Sequence, residues 1–228
     1  MTRYRFGDAV FFIFFLINAE IYAIINEIKS KGVKKMQRNK LLPLIEGAFV
    51  IAMGVVLSYA IIFKMPWGGT ITLLSMLPVA MYSIKYGIKR GLMISLIFSL
   101  FQFMQGIGDG IFAWGLTPVM LISCILLDYI AAFTFIGFAG VFRSKGIKGW
   151  ICGTAVALFA RFICHFISGA VIFHSAGKLW EGFNTDNTFL YSLIYNGCYM
   201  LPEIVFTCIG AYILFRVPVM RKMIEGNL

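Results

Sequence analysis

Charge is what this chain has least of. Asp, Glu, Lys and Arg make up 13% of its 228 residues, against about 25% in a soluble domain. With 60% hydrophobic residues and a mean hydropathy of +0.87, too little polar surface remains to face water all round, so a soluble globular domain is excluded. Histidine occurs only as His165 and His174, which supplies a histidine-based metal site poorly. Five cysteines (Cys124, Cys152, Cys164, Cys198, Cys208) lie inside apolar runs with no C-x-x-C pair, and read as small packing residues. No G-x-x-x-x-G-K-[ST] loop occurs, so ATP hydrolysis by that route is excluded, and neither H-E-x-x-H nor G-x-S-x-G is present. Acidic tails and low-complexity tracts are missing too. The net charge of +10 sits in short clusters between apolar runs, the pattern of membrane orientation signals rather than of a nucleic-acid surface.

Long apolar runs dominate what is there. A membrane span needs roughly 20 apolar residues, and the runs between charges place helices near 41–63, 70–88, 91–107, 117–142, 149–172 and 190–216. The expected fold is an all-α integral membrane protein, a six-transmembrane-helix bundle over 41–217. It is preceded by an apolar segment and basic linker (1–40) and followed by a short tail (218–228). Lys29, Lys31, Lys34, Lys35, Arg38 and Lys40 precede the first helix. Lys85, Lys89 and Arg90 fill the second-to-third connection, Arg143, Lys145 and Lys148 the fourth-to-fifth, and Arg216, Arg221 and Lys222 the tail. The alternate connections hold little more than Lys64, Asp109, and Lys178 against Glu181 and Asp186. The basic side is therefore expected to be cytoplasmic, in a plasma-membrane protein. Residues 9–28 read either as an extra helix or as an interfacial segment, since Asn18, Glu20, Asn26 and Glu27 are costly in lipid. A translation start at Met36 is a third reading.

Ionisable groups inside a span are functional candidates. Asp128 lies eleven residues into helix four, roughly 16 Å deep. A carboxylate there must face the bundle interior and meet a cation, a proton or a donor. Arg161 stands at similar depth on helix five and could be its structural partner. Glu203, after Pro202 in helix six, is the other candidate partner for Arg161, and the choice between these pairings stays open. His165 is four residues from Arg161 and shares its face. Ser168 and Gly169 follow, small enough for another helix or a ligand to approach. Asn196, Tyr191 and Tyr195 enter on helix six at comparable depth, and Tyr195 and Tyr199 form a stripe. Trp67 in the PWGGT loop, with Gly68 and Gly69, Trp114 and Trp180 decorate the other outer connections. Indoles at a boundary are commonly anchors, but aromatic faces also hold flat cations. These residues describe a pocket open to the outside, walled by helices four to six.

The stretches EGAFVIAMGVVLSYAI, PWGGTITLLSMLPVAMYSIKYG, LLDYIAAFTFIGFAGVFR, RFICHFISG and YSLIYNGCYMLPE carry a resemblance. Over residues 41–217 the chain resembles the thiamine-specific substrate-binding (S) component of energy-coupling-factor (ECF) vitamin transporters. The resemblance implies a non-enzymatic binding subunit without a cofactor. It would capture thiamine from outside and work with a transmembrane coupling protein and two cytoplasmic ATPases. It implies ligand roles for Asp128, Tyr129, His165, Tyr191 and Asn196, beside Trp67, Gly69 and Trp114. Some relatives have glutamate where Asp128 stands and tryptophan where Phe173 stands. Small residues four apart on helix one dock on the coupling protein in that family, and Ala48 and Ala52 occupy that spacing. A stand-alone proton-coupled carrier and an intramembrane enzyme using Ser168 and His165 are the other classes the residues allow.

Overall fold

The first apolar run begins as a helix and does not finish as one. Helix α1 spans Lys35–Ser58. There Ser58 Oγ turns back onto the Val55 carbonyl at 2.7 Å. Three residues later the chain is extended, as strand β1 (Ile61–Lys64) paired antiparallel with β2 (Thr70–Thr72). The helix expected at 41–63 is therefore too long by five residues at its end. Ile61, Ile62 and Phe63 are β-formers, and an unbroken apolar run does not tell helix from strand.

The computed structural model describes residues 35–65 and 68–226, with side chains from 41 onward. The 9–28 segment and Trp67 lie outside the described residues. The chain forms two compact units, Met1–Phe49 and Val50–Leu228. In the first, the described part is the N-terminal length of α1.

Within the second unit, the helix expected at 70–88 is also corrected. Residues 70–72 belong to the hairpin, Leu74 takes a left-handed φ of 56° in the turn, and helix α2 covers only Leu77–Tyr86. Ten residues rise about 15 Å, half a hydrocarbon layer. Helix α3 follows at Ile88–Gly108. A continuous helical run then extends from Pro118 to Ile172, 55 residues, which would be about 80 Å if straight. It doubles back instead. It comprises α4 (Pro118–Cys124), a π-wound stretch Ile125–Ala131, α5 (Ala132–Thr134), a 3₁₀ stretch Phe135–Lys145, α6 (Gly146–Ile167) and a second π stretch Ser168–Ile172. The fold-back is at Phe142, which leaves helical dihedrals, and Gly146, at φ 65°. Across the bend Trp150 Nε1 donates to the Arg143 carbonyl at 2.7 Å. Gly153 lies so close to the Ala139 carbonyl that no Cβ would fit.

A second hairpin, β3 (Gly177–Trp180) with β4 (Phe183–Thr185), occupies the next connection. Helix α7 (Thr188–Arg216) is capped by Asn187, whose side chain accepts from the Leu190 N–H, and a short helix α8 (Pro218–Glu225) follows. Among the described residues, four helical runs are long and apolar enough to cross a membrane: Leu41–Ser58, Ile88–Gly108, Pro118–Ile172 and Thr188–Arg216. The protein is thus a mostly helical membrane bundle. The six-span count is not reproduced: five of the expected spans fall in these four runs, one of them folded double, and the sixth is only the short buried α2, too short to cross.

Candidate functional site

At the end of the second unit that carries the two hairpins, α3, α6, α7 and the first π stretch surround a cavity of about 660 Å³. That volume is typical of small-molecule sites. Asp128 and Tyr129 line it from the π stretch, His165 from α6, and Tyr191 and Asn196 from α7. Gly69 and Trp114 reach it from the connecting loops. Of the ligand contacts expected from sequence, only Trp67 cannot be placed.

Asp128 is gripped by one helix. Its Oδ1 accepts from His165 Nδ1 at 2.9 Å, and its Oδ2 accepts from the Ser168 hydroxyl. A carboxylate only accepts, so the His165 proton sits on Nδ1. Both side chains are about seven-eighths buried, 15% exposed for Asp128 and 12% for His165. Among the described residues, no lysine or arginine lies within ion-pair distance of Asp128. The carboxylate therefore has no cation in direct contact, although Arg161 and Lys64 line the same cavity.

The ion pairs weighed for Arg161 are not made. Its Nη1 points at Met76 Sδ at 2.9 Å, and its guanidinium lies over the Phe133 ring, 4.3 Å from the centroid. Glu203 is wholly buried and accepts instead from the Thr72 backbone N–H at 2.8 Å and the Thr72 hydroxyl at 2.9 Å. The reason is the β1–β2 hairpin. Strand β2 brings unsatisfied donors to α7, and two short bonds to a carboxylate satisfy them without bending a long arginine across.

Asn196 serves as a brace. Its amide nitrogen donates to the Ser192 carbonyl at 2.9 Å and the His165 carbonyl at 3.2 Å, and its oxygen accepts from Tyr199 OH at 2.8 Å. It thereby ties α7 to α6 at the histidine. Tyr191, Tyr195 and Tyr199 recur every four residues and form a ladder. Tyr191 and Tyr195 are near-parallel at 6.2 Å, and Tyr195 meets Tyr199 edge-on at 5.9 Å. Gly69 shows why this loop carries glycine. A Cβ there would lie 2.5 Å from the Tyr199 ring, and the Gly69 N–H reaches Tyr195 OH at 3.3 Å. Trp114 pairs with Phe173 across the cavity at 6.4 Å. Trp180 stacks on Phe183 in the second hairpin, half exposed, and does not line the cavity.

Sequence reasoning missed three features. One is the hydroxyl of Ser168 as a carboxylate partner, which a separation of 40 positions hides. Another is the Thr72–Glu203 link. The third is the Lys64–Asp109 pair, 3.6 Å apart at the cavity wall, whose members had been read only as loop charges.

A membrane bundle with an acidic, aromatic-walled cavity can be compared with known proteins. The family described as Thiamine transporter protein (Thia_YuaJ) matches residues 44–222, most of the chain. This chain belongs to the thiamine transporter protein family. It is 34% identical over 193 residues to the thiamine transporter ThiT of Bacillus subtilis (strain 168), covering 78% of this chain and 93% of that protein. A solved structure of ThiT from Listeria monocytogenes superposes with a TM-score of 0.62 at 24% identity, covering 80% of this chain and 98% of that one. At that identity the match speaks for the shared helical fold. The family is one of transporters and not of enzymes.

Proposed function

We propose that this chain captures thiamine from outside the cell in the cavity around Asp128 and hands it on as the binding subunit of an ECF-type, ATP-driven transporter. Thiamine is a flat aromatic cation with an aminopyrimidine ring. The observation that carries the reading is the Asp128 carboxylate, which no lysine or arginine contacts, facing a cavity walled by Tyr191, Tyr195 and Tyr199. A partly dehydrated carboxylate attracts a cation far more strongly than an exposed one, and the tyrosine and indole faces add stacking and cation–π attraction. Asp128 supplies the counter-charge in this reading. His165 and Asn196 orient it, and Tyr129, Trp114 and Gly69 shape the remaining wall.

The chain has no G-x-x-x-x-G-K-[ST] loop, and in this reading the energy for release comes from partners: a coupling protein in the membrane and two ATPases on the basic, cytoplasmic side. Ala48 and Ala52 are both exposed on α1. Their small side chains suit close docking of another helix. Titrating thiamine into the purified chain alone tests the capture step, by calorimetry and by quenching of the aromatic fluorescence. One-site saturable binding is expected, and the absence of heat and quenching overturns the reading. Uptake that persists in cells lacking the ATPases would favour a stand-alone carrier.

A further inference from the structure

Ser168 reaches Asp128 through a change of helical winding. Helix α6 is α-wound to Ile167, and Ser168 opens the π stretch that follows. Asp128 itself lies in the other π stretch, Ile125–Ala131. Such wide turns recur at functional sites because they displace side chains from the regular helical register. Here they bring two residues 40 apart in sequence into a hydrogen bond. His165 and Ser168 are three apart on one helical face, and each takes a different oxygen of the same carboxylate. With a donor on each oxygen, the terminal torsion of Asp128, otherwise broad and two-fold, has one setting. Ser168 is 1% exposed, so its hydroxyl is committed to this contact rather than to solvent.

We infer that Ser168 is a positioning residue that sets the charge preference of this site. Its hydroxyl stabilises the negative charge of Asp128 and aims the carboxylate into the cavity, so that cationic ligands are selected over neutral ones of the same shape. The inference rests on the thiamine reading of the cavity. Without the hydroxyl, Oδ2 keeps its cost of removal from water and loses its donor. The carboxylate then turns toward other donors, and its field at the ligand weakens. The effect passes only through ligand charge, since an alanine methyl leaves the wall otherwise intact and suits a helix.

The test compares the parent chain, Ser168→Ala and Ser168→Thr by calorimetry with two probes. The first is thiamine and the second is its uncharged isostere with carbon in place of the thiazolium nitrogen. Losing a hydrogen bond to a charged group is expected to weaken thiamine binding by roughly ten- to a hundredfold. The isostere should change by less than about threefold, and Ser168→Thr, which restores a hydroxyl, should recover most of the thiamine affinity. Unchanged thiamine binding by Ser168→Ala overturns the inference. Equal weakening of both probes also overturns it, because Ser168 would then only shape the pocket. If the parent binds neither probe, the thiamine reading itself falls and takes this role with it.

Discussion

Replacing Asp128 by asparagine separates charge from shape at the centre of the site. In the structure His165 Nδ1 donates to Oδ1 at 2.9 Å and the Ser168 hydroxyl donates to Oδ2. An asparagine keeps the first oxygen for His165. Its amide nitrogen can donate to Ser168, whose hydroxyl reverses and accepts. No neighbour is left without a partner, so the fold should tolerate the change and only the negative charge is lost. A pair of unit charges about 5 Å apart is worth roughly 3 kcal/mol at an effective dielectric constant near 20. Breaking buried charge pairs across binding interfaces costs about 2–5 kcal/mol. Asp128→Asn should therefore weaken thiamine by about two to three orders of magnitude, while the uncharged isostere loses far less. Asn196→Ala is the contrasting change, because it removes a hydrogen-bonded brace and should weaken both ligands alike. Calorimetry on the two variants with both ligands completes the cycle. If Asp128→Asn binds thiamine as tightly as the parent, the carboxylate is there to hold His165 and Ser168 in place, and the reasoning is refuted.

Gly69→Ala places a methyl 2.5 Å from the Tyr199 ring. The hairpin must lift at a cost of about 1–3 kcal/mol, so stopped-flow fluorescence should show weaker thiamine binding, and unchanged affinity would mean the loop yields freely. Bulky residues in place of both Ala48 and Ala52 should abolish uptake in cells while the isolated chain still binds thiamine. Uptake that survives would remove the docking role from α1. Single cysteines placed in the 85–90 and 143–148 connections should be shielded from impermeant reagents in intact cells, and one at position 184 should react. The opposite labelling pattern would reverse the orientation drawn from the basic connections.

The membrane character and the polar residues at the heart of the cavity were legible in the sequence because a bilayer penalises what is out of place. Asp128, His165 and Asn196 stand out within apolar runs, and polar groups at such depth need a reason to be there. The same logic brought Arg161 and Glu203 to notice but paired them wrongly. Opposite charges at similar helical depth suggest a bridge, yet the partner Glu203 takes is a backbone N–H on a strand that hydropathy reads as helix. The short hairpins were hidden for that reason: Ile61, Ile62 and Phe63 are as apolar as any helical stretch.

Hydroxyls were the other blind spot, and it has a separate cause. Serine and threonine are ordinary in transmembrane helices, where they bond to their own backbone or across a helix pair. Ser99, for example, simply donates to the Leu96 carbonyl at 2.7 Å. The place of Ser168 beside His165 brings it to notice, but nothing in composition or spacing marks it as a partner of Asp128, because that contact depends on the winding of its turn, and helical hydropathy has the same pattern whether a turn holds 3.6 residues or slightly more. In a membrane site the charge that contacts a ligand is thus visible from sequence, whereas the neutral group that aims it becomes visible only when the backbone is seen.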